Sequence, residues 1–265
     1  PPTPTHNWPL LDRRAGGEVW VKHENHSPVG AFKVRGGLVY LTRLKAEHPN
    51  LAGVITATTG NHGQSVGRAA RMVGLPATIV VPKGNNPGKS AAMAAQGVEL
   101  IEHGDDFQAA KECAEGLAAA RGLHMVPSFH PWLVQGVASY GLELFEAQPD
   151  MDTVYVPIGL GSGICGVIAA RDALGLKTEV VGVVAEGAPC YALSFAAGRV
   201  VATNGVATIA EGLAVRQPDA QALDIIRKGA ARIVTVCDDE ISAAMAAYVT
   251  DTHNLAEGAG AATLA

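Results

Sequence analysis

The sequence is poor in cysteine and in charge, and each shortage argues against a class of protein. Four of its 265 residues are cysteine and no Cys-x-x-Cys pair occurs, so neither a zinc site nor a disulfide framework is predicted. Charged residues make up 17% of the chain, with a net charge of −5 and no basic cluster, so we expect no nucleic-acid partner. No apolar run reaches the roughly 20 residues that cross a bilayer, so we expect no membrane contact. The scattered cysteines predict a reducing, cytoplasmic location.

Glycine, by contrast, is abundant, with 31 residues in the chain. No triplet repeat accompanies it, which excludes a collagen-like protein. The 48% of hydrophobic residues predicts a folded core rather than a disordered chain. The excess of glycine therefore indicates many tight turns between strands and helices.

Short β-branched runs alternate with longer alanine-rich segments, which predicts an α/β fold. The predicted strands are 19–23, 53–57, 77–81, 98–101, 153–157, 180–184 and 232–236. The predicted helices are 35–47, 62–74, 88–96, 106–121, 134–148, 164–175, 219–228 and 239–252. Because the strands are almost continuously apolar, we expect open, mostly parallel twisted sheets that are covered by helices on both faces.

The first candidate site is a lysine between an aromatic residue and a glycine pair, in Gly30-Ala31-Phe32-Lys33-Val34-Arg35-Gly36-Gly37. Read alone, this segment is typical of an exposed lysine at the start of a helix. In a desolvated pocket, the same amine has a lowered pKa and serves as a Schiff-base nucleophile. Phe32 would then offer a flat surface to a planar cofactor.

The second candidate is Thr56-Ala57-Thr58-Thr59-Gly60-Asn61-His62-Gly63-Gln64, between a predicted strand and a predicted helix. Hydroxyl groups, an amide side chain and backbone N–H groups meet there at a helix N-terminus, which is a place that binds anions such as carboxylates. An ordinary N-cap cluster is the alternative. No second histidine or cysteine stands at metal-ligand spacing from His62, so the spacing favours a structural role for it.

The third candidate is Pro157-Ile158-Gly159-Leu160-Gly161-Ser162-Gly163-Ile164-Cys165-Gly166, again between a strand and a helix. Successive glycines let backbone amides surround a phosphate. The same stretch contains a G-x-G-x-x-G match at Gly161, Gly163 and Gly166, and Glu186 follows the next strand, so an NAD-dependent oxidoreductase is an alternative. A plain tight turn is the other alternative.

Together, the three segments supply what pyridoxal phosphate chemistry requires, namely an amine for the aldehyde, amides for the phosphate and a carboxylate site for an amino acid. They resemble the threonine/serine dehydratase group of pyridoxal-phosphate enzymes, which includes serine racemase and belongs to the tryptophan synthase β superfamily. The resemblance covers nearly the whole chain. The segments that carry it are Ala31–Gly36, Thr58–Gln64, Gly159–Gly163, Thr208–Gly212 and Glu257–Ala261.

The resemblance implies the type II fold of pyridoxal-phosphate enzymes and a role for each matching residue. Lys33 is expected to hold the cofactor and to remove the substrate's α-proton, while Phe32 packs on the pyridine ring and Asn61 binds the ring hydroxyl. The expected phosphate-binding residues are Gly159, Leu160, Gly161, Ser162 and Gly163. The expected substrate-binding residues are Thr58, Thr59, Gly60 and His62. The implied reaction converts a threonine- or serine-type β-hydroxy amino acid to a 2-keto acid and ammonia.

The sequence departs from the family's pattern at several positions. Ala31 replaces a serine, and Thr58 and Thr59 replace a serine pair, which adds methyl groups to the carboxylate pocket. Leu160 and Ser162 interrupt a run of glycines. Gly258 replaces a proline, and residues 206–207 carry no carboxylate where metal-binding relatives have an acid, so we predict no metal site.

The resemblance also predicts the organisation of the chain. We expect a large cofactor-binding domain from 1–36 plus 134–265 and a small substrate-side domain from 37–133. The family fold continues beyond the Glu257 segment, so we expect its C-terminal end to be missing from this sequence. The expected partner is a small amino acid, and relatives are commonly dimers or tetramers, so we expect a homo-oligomer. An amino-acid racemase and a non-catalytic, truncated pyridoxal-phosphate-binding relative are the remaining alternatives.

Overall fold

Two sets of apolar strands build two separate parallel sheets, one in each of two units of the chain. The computed structural model describes residues 2–265. The small unit is Ser27–Gly136, and the large unit combines the chain up to His26 with Val137–Ala265.

The observed units differ in their boundaries from the predicted domains. The small unit begins at Ser27 rather than at residue 37, and it ends at Gly136 rather than at residue 133. Lys33, which the prediction assigned to the large domain, consequently lies in the small unit together with the Thr58–His62 segment.

The small unit is built on four parallel strands in the order β5-β4-β3-β6. These are β3 (Val54–Ala57), β4 (Ala77–Val81), β5 (Glu99–Glu102) and β6 (His124–Met125). The helices of this unit are α2 (Lys33–Glu47), α3 (Asn61–Met72), α4 (Pro87–Ala94) and α5 (Phe107–Arg121), and α6 (Pro131–Ala147) begins in it. Every residue of β3 and β4 is buried, as expected for central strands covered on both faces.

The large unit carries three parallel strands in the order β7-β8-β9 and a short antiparallel pair, β1-β2. The strands are β1 (Thr5–Asn7), β2 (Trp20–Lys22), β7 (Thr153–Pro157), β8 (Glu179–Ala185) and β9 (Arg232–Val236). The helices are α1 (Pro9–Ala15), α7 (Ser162–Ala173), α8 (Cys190–Ala197), α9 (Ala220–Gly229), α10 (Asp238–Thr252) and α11 (Gly258–Ala261). Strand β8 is the central strand, and six of its seven residues are buried.

The predicted fold class, with open parallel sheets flanked by helices, is confirmed. All seven predicted strands and all eight predicted helices are present, with ends shifted by a few residues. The elements that the sequence did not predict are β1, β6, α1, α8 and α11, all of them short. Within residues 2–265, no helix combines the length and the apolar character that crossing a membrane requires.

A close approach of α2 and α3 fixes the local structure of the small unit. Gly37 on α2 faces Ser65 on α3, and a Cβ at Gly37 would collide with the Ser65 hydroxyl oxygen and lie 3.0 Å from the Ser65 backbone oxygen. The Ser65 hydroxyl in turn donates a hydrogen bond of 2.6 Å to the Lys33 carbonyl oxygen. The missing side chain at Gly37 therefore lets α3 anchor the first residue of α2.

Exchanging two helical glycines for alanine tests this contact. Gly37→Ala is expected to lower the free energy of unfolding by about 1–3 kcal/mol, because the added methyl group overpacks the helix interface. Gly116→Ala in α5 is the control, since a Cβ there meets nothing within 4 Å. It is expected to raise the free energy of unfolding by up to about 1 kcal/mol through helix propensity alone. Urea unfolding of both variants measures the difference, and changes of the same sign would contradict the assigned contact.

Candidate active site

Lys33 is the first residue of α2, and the chain before it is held by local hydrogen bonds. The Ser27 hydroxyl accepts the Ala31 N–H at 2.9 Å and lies 2.8 Å from the Ala31 carbonyl oxygen, to which it donates. Phe32 stands at the N-cap, and the half-buried Lys33 amine lies 5.2 Å from the centre of its ring. The Lys33 amine therefore lies beside the ring of the preceding residue in the chain.

The segment from Thr58 to His62 joins the carboxyl end of β3 to the start of α3. Thr58 is buried, and its hydroxyl oxygen accepts the Gly60 N–H at 3.2 Å, so this side chain braces the turn. Thr59 is exposed, and Gly60 is the N-cap residue of α3, which begins at Asn61. The first N–H groups of an α-helix have no partner within the helix and carry its positive dipole end. This turn therefore has the chemistry of an anion site.

His62, the second residue of α3, is the buried histidine of this turn. Its side chain hydrogen-bonds the Val126 carbonyl group, and within residues 2–265 its Nε2 is the one buried side-chain polar atom with no hydrogen-bond partner. Burial, and then the positive charge of Lys33, lower the pKa of His62 to about 3. At neutral pH the imidazole is therefore uncharged, with an unused lone pair on Nε2.

The glycine-rich turn joins β7 to α7 in the large unit. Gly161 is the N-cap of α7 with φ of 97°, and Gly161, Ser162 and Gly163 are buried. A Cβ at Gly161 would lie 2.9 Å from the Ala222 Cβ, and one at Gly159 would collide with the Gly212 carbonyl oxygen. Both glycines are therefore required by the close packing of the turn on its neighbours.

Two tyrosines hold the carbonyl groups of this turn. The Tyr191 hydroxyl donates to the Leu160 carbonyl oxygen at 2.8 Å, and the Tyr140 hydroxyl donates to the Gly163 carbonyl oxygen at 3.2 Å. Since the first N–H groups of an α-helix have no partner within the helix, the turn before α7 has the chemistry of an anion site.

The backbone conformation of the glycine-rich turn is compatible with its non-glycine residues. In the part of the chain that the structure describes, His253 is the one non-glycine residue with positive φ, so Leu160 and Ser162 adopt ordinary backbone conformations. A phosphate group bound by backbone N–H groups is compatible with both side chains. The Gly159–Gly163 turn thus has backbone donors that suit the phosphate group of pyridoxal phosphate, and Lys33 has an amine that suits its aldehyde.

Four polar groups of these sites were not predicted from the sequence. They are Ser65, the Val126 carbonyl group, Tyr140 and Tyr191. Ser65 lies one helical turn after His62, so helix periodicity could have placed both on the same face. The other three come from distant segments and carry no local signal. No group of three His, Cys, Asp or Glu side chains that could hold a metal ion occurs among residues 2–265.

The buried, uncharged His62 predicts a pH dependence of stability. Because its pKa is about 3 in the folded chain and about 6.5 in the unfolded chain, the unfolded state binds more protons between these values. His62 therefore makes the free energy of unfolding fall as the pH is lowered through this window, by up to about 1.4 kcal/mol per pH unit. In His62→Phe this contribution disappears, while the Thr56 hydroxyl still donates to the Val126 carbonyl oxygen at 3.0 Å.

Urea unfolding of both proteins between pH 4.5 and 7 measures the difference. The free energy of the wild type is expected to depend more steeply on pH than that of the variant. Parallel pH curves would show that His62 is protonated in the folded chain as readily as in the unfolded chain.

The chain matches, over residues 1–265, the family described as pyridoxal-phosphate dependent enzyme. L-threonine ammonia-lyase of Thermotoga maritima is 34% identical over 257 residues, which are 97% of this chain and 64% of the relative. This chain spans 51–64% of the length of three curated relatives that it matches.

Solved structures agree with this match. The processed form of threonine deaminase isoform 2 from Solanum lycopersicum superposes with a TM-score of 0.94 at 30% identity, covering 99% of this chain and 76% of that one. Maize serine racemase superposes with a TM-score of 0.94 at 27% identity, covering 99% of this chain and 79% of that one. The family match favours pyridoxal phosphate over a dinucleotide as the cofactor. The chain belongs to the pyridoxal-phosphate-dependent enzymes, in the threonine/serine dehydratase-like group.

Proposed function

We propose that this chain is a pyridoxal-phosphate-dependent ammonia-lyase that converts a threonine- or serine-type β-hydroxy amino acid to a 2-keto acid and ammonia. The observation that carries the proposal is the position of Lys33 at the start of α2, where Ser65 of α3 binds its carbonyl oxygen at 2.6 Å. This bond fixes the amine-bearing residue against the helix whose N-terminus is the anion site. The relatives named as threonine ammonia-lyase and threonine deaminase support the choice of reaction.

Eight residues are proposed to hold the cofactor, namely Phe32, Lys33, Asn61 and the turn Gly159–Gly163. Lys33 would bind its aldehyde carbon, Phe32 would pack against its ring and Asn61 would hydrogen-bond its ring hydroxyl. The backbone N–H groups of Gly159–Gly163 would bind its phosphate. Backbone N–H groups at the N-termini of helices commonly bind anions in this way. When bound, pyridoxal phosphate is an electron sink that makes the substrate's α-hydrogen acidic.

The protein's own groups then act on the substrate. The backbone N–H groups at the start of α3 bind the substrate's carboxylate, and the Thr59 hydroxyl, which is exposed, lies in the same turn. The Lys33 Nζ, freed when the substrate's amine takes its place, would take the proton from the substrate's α-carbon and pass it to the departing β-hydroxyl. The substrate's β-hydroxyl leaves as water, and the resulting enamine takes up water and releases ammonia, so that the net change is the loss of ammonia.

The Thr58 hydroxyl has a different part in this proposal. Because it accepts the Gly60 N–H, it shapes the turn that presents the carboxylate-binding N–H groups. Thr58 therefore supports substrate binding indirectly, by shaping the backbone of its own loop. Thr59 is not assigned this role.

An amino-acid racemase is the second candidate, and the exposed Thr59 is the observation that favours it. A racemase needs a second proton donor on the face of the substrate opposite Lys33. The structural similarity to maize serine racemase is consistent with this activity on the same fold. Formation of D-serine from L-serine distinguishes it from the lyase.

Lys33→Ala tests the proposal. The wild type incubated with pyridoxal phosphate is expected to show an absorbance band at roughly 410–430 nm from the bound cofactor. Borohydride should remove this band and leave the cofactor's mass on the peptide that contains Lys33. Lys33→Ala should show neither the band nor the added mass, and it should release no keto acid.

Four candidate substrates and one control variant complete the test of Lys33→Ala. Keto acid and ammonia are measured with serine, threonine, β-phenylserine and 3-hydroxyaspartate. Lys111→Ala is the matched control, because this exposed lysine of α5 pairs with Glu115 on the surface. A wild type that carries the band but releases keto acid from none of the four substrates would overturn the lyase and favour a binding protein without turnover.

A further inference from the structure

A buried tyrosine of the large unit contacts both the glycine-rich turn and the start of a second helix through one hydroxyl group. Tyr191 is the second residue of α8 and is 1% exposed. Its hydroxyl donates to the Leu160 carbonyl oxygen at 2.8 Å and accepts the Asp219 backbone N–H at 3.1 Å. These two residues lie 31 and 28 positions from Tyr191 along the chain, so three distant segments meet at one oxygen atom.

The bond to Leu160 sets the direction of one peptide unit in the turn. The peptide bonds of residues 2–265 are all trans. In a planar trans peptide, the carbonyl group of one residue and the N–H of the next point in opposite directions. Because Tyr191 holds the Leu160 carbonyl oxygen on its own side, the Gly161 N–H points away from Tyr191.

Gly161 lets Tyr191 come this close to the turn. A Cβ at Gly161 would lie 3.2 Å from the Tyr191 hydroxyl oxygen and 2.9 Å from the Cβ of Ala222, which belongs to the first turn of α9. Gly161 also has φ of 97°, a conformation that other residues rarely adopt. The Tyr191 hydroxyl and the start of α9 therefore fill the space on one side of Gly161.

The two helix starts that meet near Tyr191 differ in how their N–H groups are used. At α9, the Asp219 carboxylate accepts the backbone N–H groups of Gln221 and Ala222 at 2.9 and 3.0 Å. At α7, the N-cap residue is Gly161, which has no side chain that could accept an N–H. A carboxylate of the chain itself thus caps α9, whereas α7 lacks a side-chain cap and has the chemistry of an anion site.

The Tyr191 hydroxyl keeps its proton at neutral pH. Burial raises its pKa well above the usual value of 10.0, and this effect is the largest of those acting on the group. A protonated phenol has one hydrogen to donate, and the Leu160 carbonyl oxygen receives it. The directions of both hydrogen bonds at this oxygen are therefore fixed.

We propose that Tyr191 is a positioning residue for the cofactor's phosphate group and acts through the peptide that joins Leu160 to Gly161. This inference rests on the proposed function, since it takes the Gly159–Gly163 turn as the phosphate site. Tyr191 makes no contact with the cofactor in this proposal. Its hydroxyl orients a backbone N–H before the phosphate arrives, which reduces the entropy that binding has to remove.

Removing one oxygen atom tests the proposal. Tyr191→Phe is expected to raise the dissociation constant of pyridoxal phosphate about 3- to 10-fold, the range of one neutral hydrogen bond. The dissociation constant of pyridoxal, which has the aldehyde but lacks the phosphate, should stay within about twofold of the wild type. Titration of the full chain, followed by the cofactor's absorbance band, measures both constants. A general loss of structure would weaken both compounds alike.

A rescue variant and a control variant accompany this measurement. Tyr191→para-aminophenylalanine keeps a hydrogen-bond donor at the end of the ring and should restore most of the lost affinity. Tyr248→Phe is the matched control, because Tyr248 is a buried tyrosine of α10 in the same unit whose hydroxyl interacts with the Thr263 side chain. The control should bind both compounds as the wild type does. Urea unfolding compares the two phenylalanine variants, and a Tyr191→Phe chain that does not fold would show a structural role and overturn the inference.

The two hypotheses fail differently. If Tyr191→Phe binds pyridoxal phosphate like the wild type, or loses pyridoxal to the same degree, the inference is wrong while the lyase stands. If the wild type releases no keto acid but Tyr191→Phe weakens pyridoxal phosphate alone, the lyase is wrong while the positioning role stands. A wild type that binds the two compounds equally well would overturn the inference together with the assigned phosphate site.

Discussion

The hydrogen bond from the Ser65 hydroxyl to the Lys33 carbonyl oxygen is the contact on which the proposed site depends. It joins the first residue of α2 to the second turn of α3, and it forms because Gly37 leaves room for Ser65 between the helices. Since both helices begin at this place, the amine and the turn proposed to bind the carboxylate lie in one small region. A larger residue at position 37 would move the helices apart and separate the two functions.

The electrostatics of the small unit follow from that arrangement. Lys33 and the N-terminus of α3 concentrate positive charge in a chain whose net charge is −5. His62 lies among these groups and stays uncharged, because burial and the Lys33 ammonium group lower its pKa to about 3. A neutral imidazole offers a hydrogen-bond acceptor at this place without adding a further buried positive charge. The region is therefore suited to a small anion.

Much of the fold could be predicted, because β3, β4 and β8 are covered on both faces and so require continuous apolar sequence. Strand β6 has two residues, too few for any periodicity to indicate it. The candidate nucleophile and turns could also be predicted, since each lies in one contiguous segment. Tyr191 could not, because its hydroxyl reaches Leu160 through a contact between segments 31 residues apart. The unpaired His62 Nε2 likewise depends on the three-dimensional surroundings of the ring.

The glycine-rich turn shows why two departures from the family's glycine run are compatible with phosphate binding. Glycine is needed where a Cβ would meet the protein, at Gly159 against Gly212 and at Gly161, which also has positive φ. Leu160 and Ser162 have backbone conformations open to any residue, and binding through N–H groups does not involve their side chains. The carbonyl groups of Leu160 and Gly163 are held by tyrosine hydroxyls, which sets the direction of the peptide planes. The proposed phosphate binding thus depends on the backbone of this turn, in which Gly159 and Gly161 leave no room for a side chain.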